Sequence, residues 1–159
     1  MKKIGTLENN YHIYQKSAKI FVVQFEVSGH TIAIDNFKYC EWMSEETNCF
    51  RADLILDGKT VGECSNEGHG GCADYHCYGN TNEETRQNYA LAREISAEVE
   101  KVENYCFPKR HLYFCDVLDN LGSIALMFQE NKVASLAKAN AVIAYMQETA
   151  DKYRKQYGE

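Results

Sequence analysis

Only one proline, Pro108, and one tryptophan, Trp42, stand among the 159 residues of this chain. So little proline excludes stiff proline-rich linkers and polyproline recognition segments. No apolar run approaches the ~18 residues that a membrane-spanning helix needs, so no membrane partner is expected. Positive charge is also short. Seventeen Lys and Arg face 23 Asp and Glu, a formal net charge of −6. That balance argues against a duplex-DNA partner, which requires a basic face to displace counterions. A small phosphorylated ligand would need only a local basic pocket. Behind Lys2 and Lys3 no apolar h-region follows, so no secretory signal is expected and the location predicted is cytoplasmic. The seven cysteines, an odd number, are then expected to remain thiols.

What is present reads as one globular domain over 1–159, mainly β over 1–79 and mainly α over 80–159. Phe21, Val23, Phe25 and Val27 alternate with Gln24 and Glu26, the period of a half-buried strand over 19–27. Ser28-Gly29 turns it into a second strand, 30–37, and Tyr11 to Tyr14 is a candidate edge strand. Phe50, Ala52, Leu54 and Leu56 mark a further strand. Asp57-Gly58 then returns the chain through Lys59 to Cys64. From Thr81 the period becomes helical. Thr81 and Glu84 have capping-box spacing, and Leu91, Ile95, Val99, Val102 and Cys106 predict a helix over 82–106 that Pro108 stops. His111–Cys115 reads as a short strand. Asp116 reads as the cap of an apolar, buried helix over 117–130. The last helix, 133–157, carries a coiled-coil-like seam (Leu136, Ala139, Ile143, Met146, Ala150, Tyr153, Tyr157) that can pack on its own sheet or on a second copy. The fold class predicted is α+β: an antiparallel meander of four or more strands followed by three helices.

Six of the ten glycines, Gly58, Gly62, Gly68, Gly70, Gly71 and Gly79, fall within 50–79. Glycine weakens element interiors, so a cluster marks special backbone angles or a close partner. Two readings of the Gly-rich loop 66–71 stand. It is a tight exposed turn, or Gly68, Gly70 and Gly71 turn their N–H groups outward as an anion-binding concavity, with Asn66 and His69 as further donors. Arg51, on the strand beside it, would neutralise the anion. Lys109 and Arg110 would clamp it, or else simply sit at the C-terminal end of the preceding helix. Tyr75 and Tyr78 would stack a base, or are half-buried core. Cys64, His69, Cys72, His76 and Cys77 have zinc-donor chemistry without a zinc-finger spacing, so metal and idle thiols are both open and no cofactor is assigned. Glu45 and Glu46 are a paired-acid candidate or a solvated loop.

The run from Ser44 to Phe50, the Asp57-Gly58-Lys59 turn and the run from Ser65 to Cys72 together resemble a pattern in small bacteriophage and bacterial proteins. The match covers about residues 44–78. No established activity attaches to that group, so no catalytic residue is carried over. The resemblance implies action on a host, in the host cytoplasm, and some such proteins sequester a nucleotide immune messenger. The function expected is a non-enzymatic, homo-oligomeric binder of a small phosphorylated ligand, assembled through its C-terminal helices. A metal- or His-assisted phosphodiesterase acting on the same ligand is one alternative. An acidic inhibitor of a host defence protein is the other.

Overall fold

A computed structural model describes residues 1–44 and 46–158. Seven strands form one sheet in strict chain order: β1 (Lys2–Leu7), β2 (Tyr11–Ser17), β3 (Ile20–Val27), β4 (His30–Tyr39), β5 (Phe50–Leu56), β6 (Lys59–Asn66) and β7 (Asp74–Cys77). Every neighbouring pair is antiparallel. Three helices follow, α1 (Asn82–Val99), α2 (Phe114–Glu130) and α3 (Leu136–Tyr157), and the fold is α+β as predicted. The hairpin turns have the chemistry their sequences promise. Ser28 and Gly29 adopt φ of 49° and 81°, Asp57 and Gly58 of 51° and 80°, the paired positive angles that match right-handed strand twist.

The helices cover one face of the sheet. Tyr11, Ile13, Phe25, Ile32, Leu54, Leu56 and Val61 are buried there against Ile95, Val99, Val117, Leu118, Leu121 and Ile124. Every second residue of the strands points the other way, onto a face that no helix covers. Across it run like-charged neighbours: Lys38 opposite Arg51, and Asp35 opposite Asp53, itself opposite Glu63. One join in the meander is short. Among the described residues, β3 and β4 pair only at Phe25–Ile32, Glu26–Thr31 and Val27–His30.

Several boundaries differ from the sequence reading. The β1 and β7 strands join the five that the pattern indicates. α1 ends at Val99, and Val102 and Cys106 lie beyond it, because Glu103 bridges His111 and binds Arg154 at 3.1 Å instead of continuing the helix. No strand forms over 111–115. His111 makes only that isolated bridge, and α2 starts at Phe114. Asp116 is therefore inside the first turn of α2, where its Oδ2 accepts from the Tyr113 N–H at 2.9 Å. α3 begins at Leu136 because the Ser135 hydroxyl accepts the Lys138 N–H at 3.2 Å. Its seam turns to its own sheet: Ala139, Ile143 and Ala150 are buried, and Ile143 lies 3.3 Å from where a Cβ on Gly5 of β1 would stand. No helix of the described residues is long and apolar enough to cross a membrane.

Candidate functional site

Asn66, the last residue of β6, organises the Gly-rich loop. Its side chain is buried, and both ends are engaged. Oδ1 accepts from Thr47 Oγ1 and from the Gly68 N–H, each at 2.8 Å. Nδ2 donates to the Gly71 carbonyl at 3.0 Å and to Asp119 Oδ1 at 2.9 Å. Asp119, on α2, closes the arrangement by accepting the Ala73 N–H at 3.0 Å. Burial raises the Asp119 carboxyl above its ordinary value, against the pull of those two hydrogen bonds. The Gly70 N–H is used as well, by Thr47 Oγ1 at 3.3 Å, and the Gly68 carbonyl accepts from Glu46 N at 3.1 Å.

This network corrects the anion-concavity expectation for Gly68 and Gly70. The Gly68 N–H turns inward to Asn66, and the Gly70 N–H and the Gly68 carbonyl tie the loop to Thr47 and Glu46. Asn66 likewise acts as an internal brace, with no amide donor left for a ligand. Gly68 and Gly70 are required for another reason. Both have positive φ, 85° and 92°. A Cβ on Gly68 would stand 2.3 Å from the Met43 carbonyl oxygen. Of the paired acids, Glu46 packs its carboxylate over Gly70, and Glu45 lies outside the described residues.

Beside the loop opens a cleft of about 580 Å³, lined among others by Lys38, Tyr39, Met43, Phe50, Arg51 and His69. Asn66 forms part of its wall, which continues into a smaller, more acidic hollow of about 310 Å³ bordered by Glu67, Gly71, Cys72 and Asp74. Arg51 and His69, two of the residues expected in a ligand site, thus come together with Asn66. Lys38 joins them. Sequence reading missed it because β4 carries a bulge between Asp35 and Lys38, around Asn36 at φ 51°. That irregularity sets Lys38 opposite Arg51, and strand alternation alone does not reveal it. Arg51 also meets Glu63 at 3.2 Å, the arginine largely in solvent and the glutamate about a third exposed.

The remaining candidates sit elsewhere. Tyr75 packs into the core face, edge-on to Phe114 at 5.1 Å and near Tyr89 at 6.4 Å. Tyr78 is exposed beyond β7. Arg110 lies over the Phe107 ring at 5.1 Å, and Phe107 packs at a tilt against Tyr153 and Tyr157 of α3, so Arg110 and its neighbour Lys109 belong to the α1–α2 connection. None of these four lines the cleft.

The zinc-type donors also scatter. Cys64 and Cys77 are buried under the helices, Cys72 is exposed, and His76 Nδ1 meets Tyr89 OH at 3.0 Å. Among the described residues, no three His, Cys, Asp or Glu side chains gather as a metal site. Burial pushes the Cys64 thiol up to about 12, helped by Asp119, Asp53 and Glu63. It does the same to Cys115, whose thiol also hydrogen-bonds Cys72. Neither is an activated nucleophile.

A second polar array was invisible in the sequence, since it needs the register of three strands. On the uncovered face Thr6 Oγ1 lies 3.1 Å from His12 Nδ1, and His12 Nε2 lies 3.1 Å from Glu26 Oε2. Tyr14 OH donates to Glu26 Oε1 at 2.7 Å. Partial burial lowers the His12 pKa, the Glu26 carboxylate opposing it. The array borders none of the clefts described above and reads as a cross-strand brace. No family model, no curated protein and no solved structure matches this chain.

Proposed function

We propose that this chain binds a small phosphorylated ligand of the nucleotide class in the cleft between the Gly-rich loop and the ends of β4 and β5, and holds it unchanged. The observation that carries the reading is the direct opposition of Lys38 and Arg51 in a protein of net charge −6. Like charges facing across adjacent strands cost stability, and an anion held between them removes that cost. Glu63 competes for Arg51, but an exposed ion pair contributes less than about 1 kcal/mol and exchanges readily for a phosphate. Met43, partly exposed at the rim, offers an apolar contact for a base, and His69 a further polar contact. The volume falls within the range of roughly 300–1,000 Å³ typical of small-ligand sites.

Binding without turnover is favoured over phosphodiester hydrolysis because, among the described residues, the metal-donor side chains do not converge, and burial suppresses the Cys64 and Cys115 thiolates. The host-directed, phage-type setting is proposed on the resemblance over 44–78, residues that build this loop and its neighbours. Assembly into homo-oligomers would use what α3 leaves exposed, Tyr153 and Tyr157 among it.

Calorimetry with inorganic phosphate, mononucleotides and cyclic dinucleotides tests the reading. At least one should bind saturably and be recovered intact after denaturation. Lys38→Ala and Arg51→Ala should each weaken it tenfold or more, as expected when a charge-assisted hydrogen bond of about 1.5–3 kcal/mol is lost. Silence from every member, or affinity indifferent to both substitutions, would overturn it.

A further inference from the structure

A second, separate opening lies between two strands of the sheet. Past their three paired positions, β3 and β4 diverge, and a cavity of about 630 Å³ opens between them. Phe21, Val23, Ile34 and Phe37 border it, and its floor is α2, through Leu121, Ala125 and Phe128. Two strand edges therefore face one another, 20–24 of β3 and 33–37 of β4, with no ladder between them. Residues 20–24 pair on their far side with β2 and 33–35 with β5, while Asn36 and Phe37 form the β4 bulge without a β5 partner.

We propose that this seam accepts an extended polypeptide strand from a partner protein, with apolar side chains facing α2 and basic side chains facing outward. Unpaired backbone edges of this kind are matched by another backbone, the basis of strand addition. An apolar small molecule would fill the floor but leave the N–H and C=O groups of both edges unmet. Because β3 and β4 run in opposite directions, the guest is antiparallel to one and parallel to the other. Strand rise allows about five guest residues along the opening. The outward charge follows from the uncovered face beside β4, where Asp35 and Asp53 face each other; Glu63, one strand further, is held by Arg51, and the one lysine that borders the cavity, Lys16, comes from β2. Asp35 itself borders the cavity. The inference does not depend on the nucleotide-class cleft, with which the cavity shares no lining residue.

The probe is a capped heptapeptide alternating lysine and valine, followed by fluorescence anisotropy and amide hydrogen exchange. Saturable binding is expected, with exchange slowed at least tenfold at amides within 20–24 and 33–37. The glutamate–valine counterpart should bind at least tenfold more weakly, as should a lysine–valine peptide N-methylated along its backbone. Ala125→Phe, which fills the floor, should weaken binding at least tenfold while the protein retains its circular dichroism. Asp35→Asn, which keeps the acceptor and removes the charge, should weaken it severalfold. The proposal fails if no peptide binds saturably. It fails equally if N-methylation or Ala125→Phe is without effect, or if protection appears instead at the outer edges, β1 or β7. Competition by an apolar dye with no slowing of backbone exchange would assign the cavity to small molecules.

Discussion

At the scale of single residues, the glycines of the loop divide by what surrounds them. Gly68 combines φ of 85° with a carbonyl oxygen 2.3 Å from its missing Cβ, whereas a Cβ on Gly71 would meet nothing within 4 Å. Gly68→Ala should therefore cost about 2–3 kcal/mol, from the left-handed angle and a backbone that must shift. Gly71→Ala should be nearly neutral. Urea melts of both, with exchange measured at the Gly70 N–H, check the contrast; equal effects would contradict it. The special backbone was legible in the sequence, since only glycine serves such angles cheaply. The purpose of those angles was not. Whether an N–H points to solvent or to Thr47 depends on a segment some twenty residues upstream, and spacing within the loop carries no trace of it. Lys38 was hidden for a similar reason, behind a one-residue bulge.

Elements were read best where one face alone is buried. The alternation in β3 and β5 and the Asp57-Gly58 turn between β5 and β6 translate directly into structure. β7 escaped because two of its four residues, Asp74 and His76, are exposed and polar, which breaks an apolar strand pattern. β1 escaped because only Leu7 of its six residues is fully buried. α1 stops short of its own periodicity because tertiary contacts at Glu103 outweigh the apolar pattern through Val102 and Cys106. The contact of α2 with β5 offers a direct test. A Cβ on Gly122 would stand 2.7 Å from the Phe50 ring. In an isolated helix Gly→Ala gains up to about 1 kcal/mol, but here overpacking costs roughly 1–3 kcal/mol. Gly122→Ala should therefore be destabilising on its own. Combined with Phe50→Leu, which makes room, it should cost less than the two single changes summed, a coupling that a double-mutant cycle reads out.

At the scale of the whole molecule, each strand pairs with its sequence neighbour, so contacts within the sheet are local and the meander is suited to rapid zipping. The helices supply what the sheet lacks, a cover for Phe25, Ile32, Leu54 and Leu56. A fragment ending at Gly79 should accordingly lack a stable fold and aggregate at micromolar concentration. Sedimentation of that fragment beside the full chain tests this, and a soluble, cooperatively melting fragment would refute it. The strict order of strands first and helices last also has a consequence during synthesis. β7 ends at Cys77, and the end of α2 at Glu130 follows more than fifty residues later. At roughly 5–20 residues per second, a ribosome takes about 3–10 s to deliver that cover. For those seconds the nascent sheet presents its greasy side to the cell, long enough for a ribosome-bound chaperone to engage it, and slowing translation across 80–130 would lengthen that exposure in direct proportion.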